Sequence, residues 1–259
     1  FKDNINKLSN ELKLVTNNDI IQIITILQNN PELMGDFISS PFDVKEENIY
    51  TVSNFGSSMA PMYTALAMWV GSIMLVTLLR VDVCPFQGSE NLTLKEKYLG
   101  KLLTFTALAA IQGIIVILGD KFLLHVQMVN VFLMIMVAFV SSVTFAVIVY
   151  TLVSILGNFG RAISIILLII QIAGSGATYP IQLQTLIFRI LQPLFPFTYS
   201  VSGFREAVAG PLISTVVLDF SALILISVSF ILIGLFLKEP LHNKIHKFQV
   251  KFKDSGIGE

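Results

Sequence analysis

The chain has 259 residues, of which 54% are hydrophobic and 13% are charged, and its formal net charge is zero. Soluble domains carry about 25% charged residues, so this composition predicts an integral membrane protein. The zero net charge provides no basic footprint for a nucleic acid, and the single cysteine, Cys84, excludes an internal disulfide and a cysteine-rich metal site.

Residues 1–58 differ in composition from the rest of the chain, because they hold eight acidic residues against four lysines. The chain begins with Phe1 rather than methionine, and no signal peptide precedes this segment. We therefore expect the sequence to be the C-terminal piece of a longer protein, with residues 1–58 as the end of a soluble domain. Residues 54–58 are turn-forming and predict a junction between this segment and the first membrane span.

Five membrane-length apolar segments follow the junction. About 20 helical residues cross a hydrocarbon core of roughly 30 Å. The third segment is longer than necessary and is expected to tilt or project. The fourth is marginal in length and ends in small residues, 174–177, which favour a close approach of another backbone. The predicted spans are residues 60–79, 102–119, 126–156, 162–177 and 212–237.

The stretch between the last two spans, residues 179–211, cannot cross a bilayer. Residues 181–191 carry apolar side chains on one helical face and two glutamines and Arg189 on the other, which predicts an amphipathic helix of roughly 16 Å. Pro193 and Pro196 break this helix, and a second short helix ends at Gly210. The pattern predicts a helical hairpin that enters the membrane from one side and returns.

The distribution of positive charge predicts the orientation. Ten of the seventeen basic residues fall in the loops 80–101 and 157–161 and in the tail 238–259. Cytoplasmic segments are enriched in lysine and arginine, so this face is expected to be cytoplasmic. The N-terminal segment and the hairpin then lie outside, and residues 239–259 form a basic cytoplasmic tail.

These features, in this order, resemble the membrane domain of ABC type-2 permeases. The motifs that carry the resemblance are KEKYLGKLL (95–103), GSGATYP (174–180) and FPFTYSVSGFREAVAG (195–210). The junction NFGSSMAPMYTALAMWVG (54–71) and the hairpin resemble, more narrowly, the YhgE/Pip ("phage infection protein") family of bacterial membrane proteins. The resemblance covers about residues 40–237. It implies an all-α integral membrane protein of the bacterial cell membrane, in which residues 59–238 form five transmembrane helices and an outer-leaflet re-entrant hairpin.

The resemblance also assigns residues 89–101 to the coupling helix by which such permeases contact an ATPase on a separate chain. Tyr98 is apolar and Lys95, Glu96 and Lys101 are charged, which fits a short amphipathic helix along the inner surface. The alternative is a lysine-anchored loop attracted to anionic lipid. The chain itself has no ATP site, because Lys95 stands where a P-loop would begin with glycine and no serine or threonine follows Lys101.

In the hairpin, five residues mark the candidate site. Arg205 and Glu206 are charged at membrane depth, where they could pair with lipid headgroups, with a substrate or with other helices; the alternative is a wet interfacial position. Tyr199 is expected at the membrane interface. The hairpin residues are Pro196, Tyr199, Gly203, Arg205 and Glu206.

Three polar residues fall inside predicted spans, namely Gln112, Gln171 and Asp219. Such residues hydrogen-bond between helices or mark a proton or substrate pathway, and both readings stay open. No catalytic constellation and no cofactor motif is found. His242 and His246 have the spacing of helical metal ligands but lack an HExxH sequence and a third ligand, so no metal site is predicted.

Two functions from different classes follow. The first is a permease that lies in the lipid bilayer as a homodimer and moves an amphipathic or envelope-related substrate, with the hairpin as its gate. The second is a non-transporting membrane scaffold for an extracellular domain that binds a phage or assists a secretion apparatus. An enzyme is not expected.

Overall fold

The computed structural model describes residues 52–84 and 92–254, except for the side chains of residues 242–244 and 246–254. Most of the predicted extracellular segment 1–58, and residues 89–91 of the predicted coupling helix, lie outside these ranges. The described residues are helical and form no strand. Their α-helices are α1 (Phe55–Leu78), α2 (Leu94–Phe122), α3 (Val131–Leu156), α4 (Asn158–Gly174), α5 (Leu186–Leu191), α6 (Pro196–Ala209) and α7 (Ile213–Asp254).

Helix α3 is the centre of the bundle and packs against α1, α2, α4, α6 and α7. Its sequence is apolar around its whole circumference, which is typical of a helix buried on all sides. Aromatic rings fill the space around it. The Trp69 ring of α1 meets the Phe145 ring of α3 edge-on, with the ring centroids 5.0 Å apart, and the Trp69 indole Nε1–H donates to the Ser164 carbonyl of α4 at 3.1 Å.

Four helices are long and apolar enough to cross a membrane: α1, α2, α3 and the part Ile213–Leu241 of α7. These helices indicate a membrane protein. The fourth predicted span, residues 162–177, corresponds to α4, which has only 17 residues and falls below the length of the other four. A membrane crossing by α4 therefore stays a prediction.

Capping residues explain where the helices begin. The Asn54 side chain accepts a hydrogen bond from the Ser57 N–H at 2.8 Å, so α1 begins five residues before the predicted start. Thr93 and Glu96 form a capping box at the start of α2. Asn130 caps α3 through the Leu133 N–H at 3.0 Å. The predicted third span was therefore too long, because residues 126–130 form a loop rather than helix.

The predicted helix over residues 181–191 is interrupted in the structure. A 3-10 turn, Ile181–Leu183, is followed by extended residues Gln184 and Thr185, then by α5, and finally by a second 3-10 turn, Gln192–Leu194. Thr185 is the N-cap of α5 and takes an extended backbone, which an uninterrupted helix would not allow. The amphipathic pattern of this stretch is present in the sequence, but it does not form one continuous helix.

The last helix also departs from the prediction, because α7 continues through Pro240 to Asp254 instead of ending near residue 237. The lysine-rich sequence 241–254 contains neither glycine nor proline, the residues that disfavour a helix most. The predicted basic tail is thus helical up to residue 254.

Candidate functional site

The second helix of the predicted hairpin, α6, lies inside the bundle and runs antiparallel to the first half of α3. At its C-terminal end the Ala207 carbonyl accepts from the Asn130 N–H at 3.1 Å. At its N-terminal end the Phe197 ring stacks on the Phe145 ring, with the centroids 6.5 Å apart. The fourteen steps of helix from Val131 to Phe145 rise roughly 20 Å. The N-terminal end of α6 therefore lies deep within the bundle, close to the midpoint of α3.

Small and hydroxyl side chains form the contact between α6 and α3. The Ser200 hydroxyl donates to the Ser141 hydroxyl at 2.8 Å, and both side chains are fully buried. Gly203 faces Val137 so closely that a Cβ at this position would lie 3.1 Å from both methyl groups of the valine. Both contacts allow the two helix backbones to approach closely. The predicted hairpin residue Gly203 therefore has a packing role.

The buried N-terminus of α6 is capped by a side chain from α4. The Gln171 Oε1 accepts from the Phe197 N–H at 3.2 Å, while its Nε2 donates to the Leu167 carbonyl at 3.2 Å. Pro196 occupies the first turn, where its missing N–H leaves no orphan donor. Gln171, predicted as a polar residue within a span, thus connects two helices by hydrogen bonds.

The small residues at the end of α4 make a contact different from the predicted one. A Cβ on Gly174 would overlap the rings of Phe188 and Phe195. Aromatic side chains of the segment that leads into α6, rather than another backbone, therefore occupy the space that this glycine leaves. The Gln192 side chain adds a hydrogen bond to the Ser175 carbonyl at 3.3 Å.

The charged residues of α6 bind to the segments on either side of the helix. The Arg205 guanidinium donates to the Ala177 carbonyl at 2.7 Å, and the Glu206 carboxylate accepts from the Leu212 N–H at 2.7 Å at the start of α7. A carboxylate at a helix N-terminus is favourable, since it accepts from free N–H groups and faces the positive end of the helix dipole. Arg205 and Glu206 hold α6 between α4 and α7.

Tyr199 lies nearly two turns before Glu206 on the same face of α6 and donates its hydroxyl to the Pro193 carbonyl at 2.9 Å. This hydrogen bond ties the 3-10 turn to the helix that follows it.

Asp219, the predicted polar residue of the last span, is 4% exposed within the bundle. Its carboxylate interacts with the Ser202 hydroxyl of α6, but its Oδ2 atom has no hydrogen-bond partner. The structure therefore brings Asp219 together with the hairpin residues Tyr199 and Glu206. Gln112 lies apart from them, half-buried over Gly71 of α1, where a Cβ would overlap its amide.

The predicted coupling residues lie at the other end of the bundle, where α3 ends. From residue 94 onward the stretch forms the first turns of α2 and is continuous with that helix. Lys95 is exposed and lies 4.0 Å from the Glu239 carboxylate of α7. The Lys101 ammonium donates to the Arg80 carbonyl at 3.2 Å. Both lysines thus connect the start of α2 to neighbouring segments.

Tyr98 is fully buried, in contrast to Lys95 and Glu96. Its hydroxyl shares a hydrogen bond with the Thr151 hydroxyl at 2.8 Å, and its carbonyl accepts from the Tyr150 hydroxyl at 3.0 Å. Lys238 of α7 lies over the Tyr98 ring and donates to the Ser154 hydroxyl at 2.8 Å. Tyr98 joins α2, α3 and α7 and is not accessible to a partner.

Two polar contacts were missed by the sequence analysis. The Thr64 hydroxyl of α1 donates to the buried Asp120 carboxylate of α2 at 2.6 Å. The Arg161 guanidinium donates to the Val76 carbonyl at 3.1 Å. Asp120 directly follows the predicted span 102–119, and only its position next to apolar residues could have indicated its burial.

The described residues contain no group of three or more histidine, cysteine, aspartate or glutamate side chains that could hold a metal ion. The side chains of His242 and His246 lie outside the described part of the chain. The arrangement as a whole offers helix–helix contacts and one incompletely paired buried acid, and the prediction that the protein is not an enzyme stays untested.

Four membrane-length apolar helices, three of which (α1, α3 and α7) pack against α6, define the class of a multi-helix membrane protein. No family model and no solved structure matches the chain significantly. The chain is similar to a protein of Bacillus subtilis (strain 168) described as "Uncharacterized protein YhgE", with 24% identity over 172 residues. The match spans 66% of this chain but only 22% of that relative's length. This similarity supports the resemblance to the YhgE/Pip family and carries no statement about transport.

Proposed function

We propose that the described region is the membrane domain of a YhgE/Pip-type, permease-like protein of the bacterial cell membrane. In this proposal it moves an envelope-related or amphipathic substrate, pairs with a second copy of itself, and draws energy from an ATPase on a separate chain. The observation that carries the proposal is α6, whose N-terminal end lies roughly 20 Å along α3 from the start of that helix.

The gate in this proposal is the segment 179–211. Its first part presents apolar side chains outward, with Leu183, Leu186 and Ile187 each at least two-thirds exposed, as expected for contact with lipid. Its second part, α6, contacts α3 through a glycine and a serine pair along its length and through the Phe197–Phe145 ring contact at its N-terminal end. Because Phe197, Val201 and Phe204 are buried, separation of α6 from α3 would expose apolar surface, and in this proposal the ATPase supplies the energy for it.

The opposite end of the bundle is the proposed site of the ATPase. Lys95 and Glu96 in the first turn of α2 are exposed, whereas Tyr98 belongs to the core. A partner would therefore contact the charged first turn of α2 and reach the bundle through Tyr98, Thr151 and Lys238, which connect α2 to α3 and α7.

The orientation is tested by cysteine labelling in intact cells. Native Cys84 is exposed at the end where α3 ends, and a Gln182→Cys variant in a Cys84→Ser background places an exposed thiol on the polar side of the hairpin segment. We expect a membrane-impermeant maleimide to label Gln182→Cys directly and to label Cys84 only after permeabilisation. The reverse pattern would contradict the outside location of the hairpin and the cytoplasmic location of the C-terminus.

A second candidate function is the non-transporting scaffold. It is favoured by the extent of the match, since 78% of the relative lies outside the matched region and could form an extracellular domain that meets a phage or a secretion apparatus. In the scaffold function the helices only anchor that domain, and no movement of α6 is required.

A cross-link between α6 and α3 distinguishes the two functions. The hydroxyls of Ser141 and Ser200 are 2.8 Å apart, so Ser141→Cys with Ser200→Cys, in a Cys84→Ser background, is expected to form a disulfide. The permease proposal predicts that oxidation abolishes complementation of a deletion strain and that a reductant restores it. Each single-cysteine variant is the control. Complementation that is unaffected by a complete cross-link would favour the scaffold.

A further inference from the structure

Asp219 is an acid inside the bundle without a complete set of partners. One helical turn further along α7, the Leu223 carbonyl meets the Thr144 hydroxyl of α3 at 3.5 Å, and the Ser227 hydroxyl donates to the same group at 2.9 Å. Asp219 therefore lies at the interface of α7 with α3 and α6, within the apolar part of the last span. Its side chain is 96% buried, and Oδ2 makes no hydrogen bond.

The groups around Asp219 are hydroxyls and acids. From α6, the Ser202 hydroxyl, the Glu206 carboxylate and the Tyr199 phenol face it. Helix α3 carries no aspartate, glutamate, lysine, arginine or histidine. Helix α2 meets α7 at the other end of the bundle, where Tyr98 lies against Gly234. Among the side chains that the structure describes, no cation forms an ion pair with Asp219.

A carboxylate in such surroundings is costly. An isolated buried charge without a counter-ion or hydrogen-bond donors loses its solvation, and it becomes neutral by taking up a proton instead. A metal cation would need further ligands, and the described residues offer no group of three or more acidic, histidine or cysteine side chains there. A proton is the ligand that fits one free carboxylate oxygen.

We propose that Asp219 is a proton-binding site and that its occupancy sets the packing of α6 against α7. When Asp219 holds the proton, it is neutral beside Glu206, and the Glu206 contact with the Leu212 N–H is undisturbed. When the proton leaves, Asp219 and Glu206 carry like charges across the interface, which repel more strongly in a low-dielectric interior than in water. Release of the proton therefore loosens α6 at its contact with the last span.

The site is tested with the hydrophobic carbodiimide DCCD, which reacts with protonated carboxyl groups in apolar surroundings. The full-length protein in lipid nanodiscs is treated at several pH values, and the peptide that contains Asp219 is quantified by mass spectrometry. We expect modification of Asp219 whose rate falls about tenfold per pH unit once the group titrates. Asp219→Asn should abolish it, and Asp120→Asn should leave it unchanged. A rate at Asp219 that does not depend on pH would overturn the proposal.

An infrared difference spectrum covers the case in which DCCD does not reach the site. Wild type minus Asp219→Asn should show the carbonyl band of a protonated carboxyl group, which disappears at high pH and shifts in deuterated water. Absence of this band at acidic pH would also overturn the proposal.

The effect on packing is tested separately by thermal unfolding against pH. If the folded protein holds a proton that the unfolded chain releases, stability falls as the pH rises. Glu206→Gln keeps an acceptor for Leu212 but removes the like charge, so it should reduce this pH dependence, as should Asp219→Asn. An unchanged pH dependence in both variants would contradict the coupling between α6 and α7.

Discussion

The Gln171 side chain of α4 accepts a hydrogen bond from the Phe197 N–H at 3.2 Å and so caps α6 in the interior of the bundle. A helix N-terminus has N–H groups without partners in the helix, and in an apolar environment water cannot satisfy them. A helix that begins at this depth therefore needs acceptors from the protein itself. Gln171, which is 1% exposed, is the residue that supplies one for Phe197.

Gln171→Leu should destabilise the bundle by about 1–3 kcal/mol, because it leaves the Phe197 N–H buried without a partner. The expected result is a lower apparent Tm of the purified protein in detergent. Gln171→Met provides a second variant of similar length that also lacks the acceptor. A Tm equal to that of the wild type in both variants would show that Phe197 finds another acceptor and that the cap is dispensable.

Gly203→Val should also destabilise the bundle, by about 1–3 kcal/mol, since its added methyl groups would meet the Val137 side chain. Val137→Ala in the same chain should recover part of this loss because it vacates the space. The measurement is a double-mutant cycle of apparent Tm values, with Val137→Ala alone as the control. Strictly additive effects would mean that α6 and α3 do not meet at this pair.

The hairpin shows which parts of this architecture can be predicted from the sequence. The breaks at Pro193 and Pro196 and the end at Gly210 follow from local backbone chemistry, and the structure has helix ends at these places. The prediction of one helix over residues 181–191 was wrong. The amphipathic spacing of the side chains continues through Thr185, but the extended backbone of Thr185 interrupts the helix. Side-chain spacing shows which face of a helix is apolar and does not show where the backbone leaves the helical conformation.

Burial of individual polar residues could not be predicted in this way. Tyr98 belongs to an amphipathic-looking stretch with three lysines, yet it is buried by Thr151, which is 53 positions away in the sequence. Asp120 is buried by Thr64 from another helix. Such contacts depend on which helices are neighbours and on how each is rotated about its axis. A single sequence shows which face of a helix is apolar but not which helix that face contacts, and in α3 apolar residues occur on every face.

Thr64→Val tests the contact between α1 and α2. It removes the hydroxyl that donates to the Asp120 carboxylate at 2.6 Å and leaves this buried acid without its partner. We expect a loss of about 1–3 kcal/mol, seen as a lower apparent Tm. Thr64→Ser keeps the hydroxyl and should lie much closer to the wild type. If the serine variant were as unstable as the valine variant, the methyl group of Thr64 rather than its hydrogen bond would be responsible.

Variants of Tyr98 and Lys95 distinguish an effect on core packing from an effect on a surface contact, at the end of the bundle where α2 begins. Tyr98→Phe should cost about 1 kcal/mol, since it removes one buried hydrogen bond to Thr151 and retains the ring beneath Lys238.

Lys95→Glu changes an exposed side chain and should alter stability by no more than about 0.5 kcal/mol. A loss of complementation or of a co-purified ATPase in Lys95→Glu, at unchanged Tm, therefore reports on a partner and not on folding. Tyr98→Asp does not serve this purpose, because a carboxylate in the fully buried position of Tyr98 would disrupt the bundle itself. If Lys95→Glu and Lys97→Glu together leave both readouts unchanged, the first turn of α2 is not a docking site and the coupling role proposed for it is wrong.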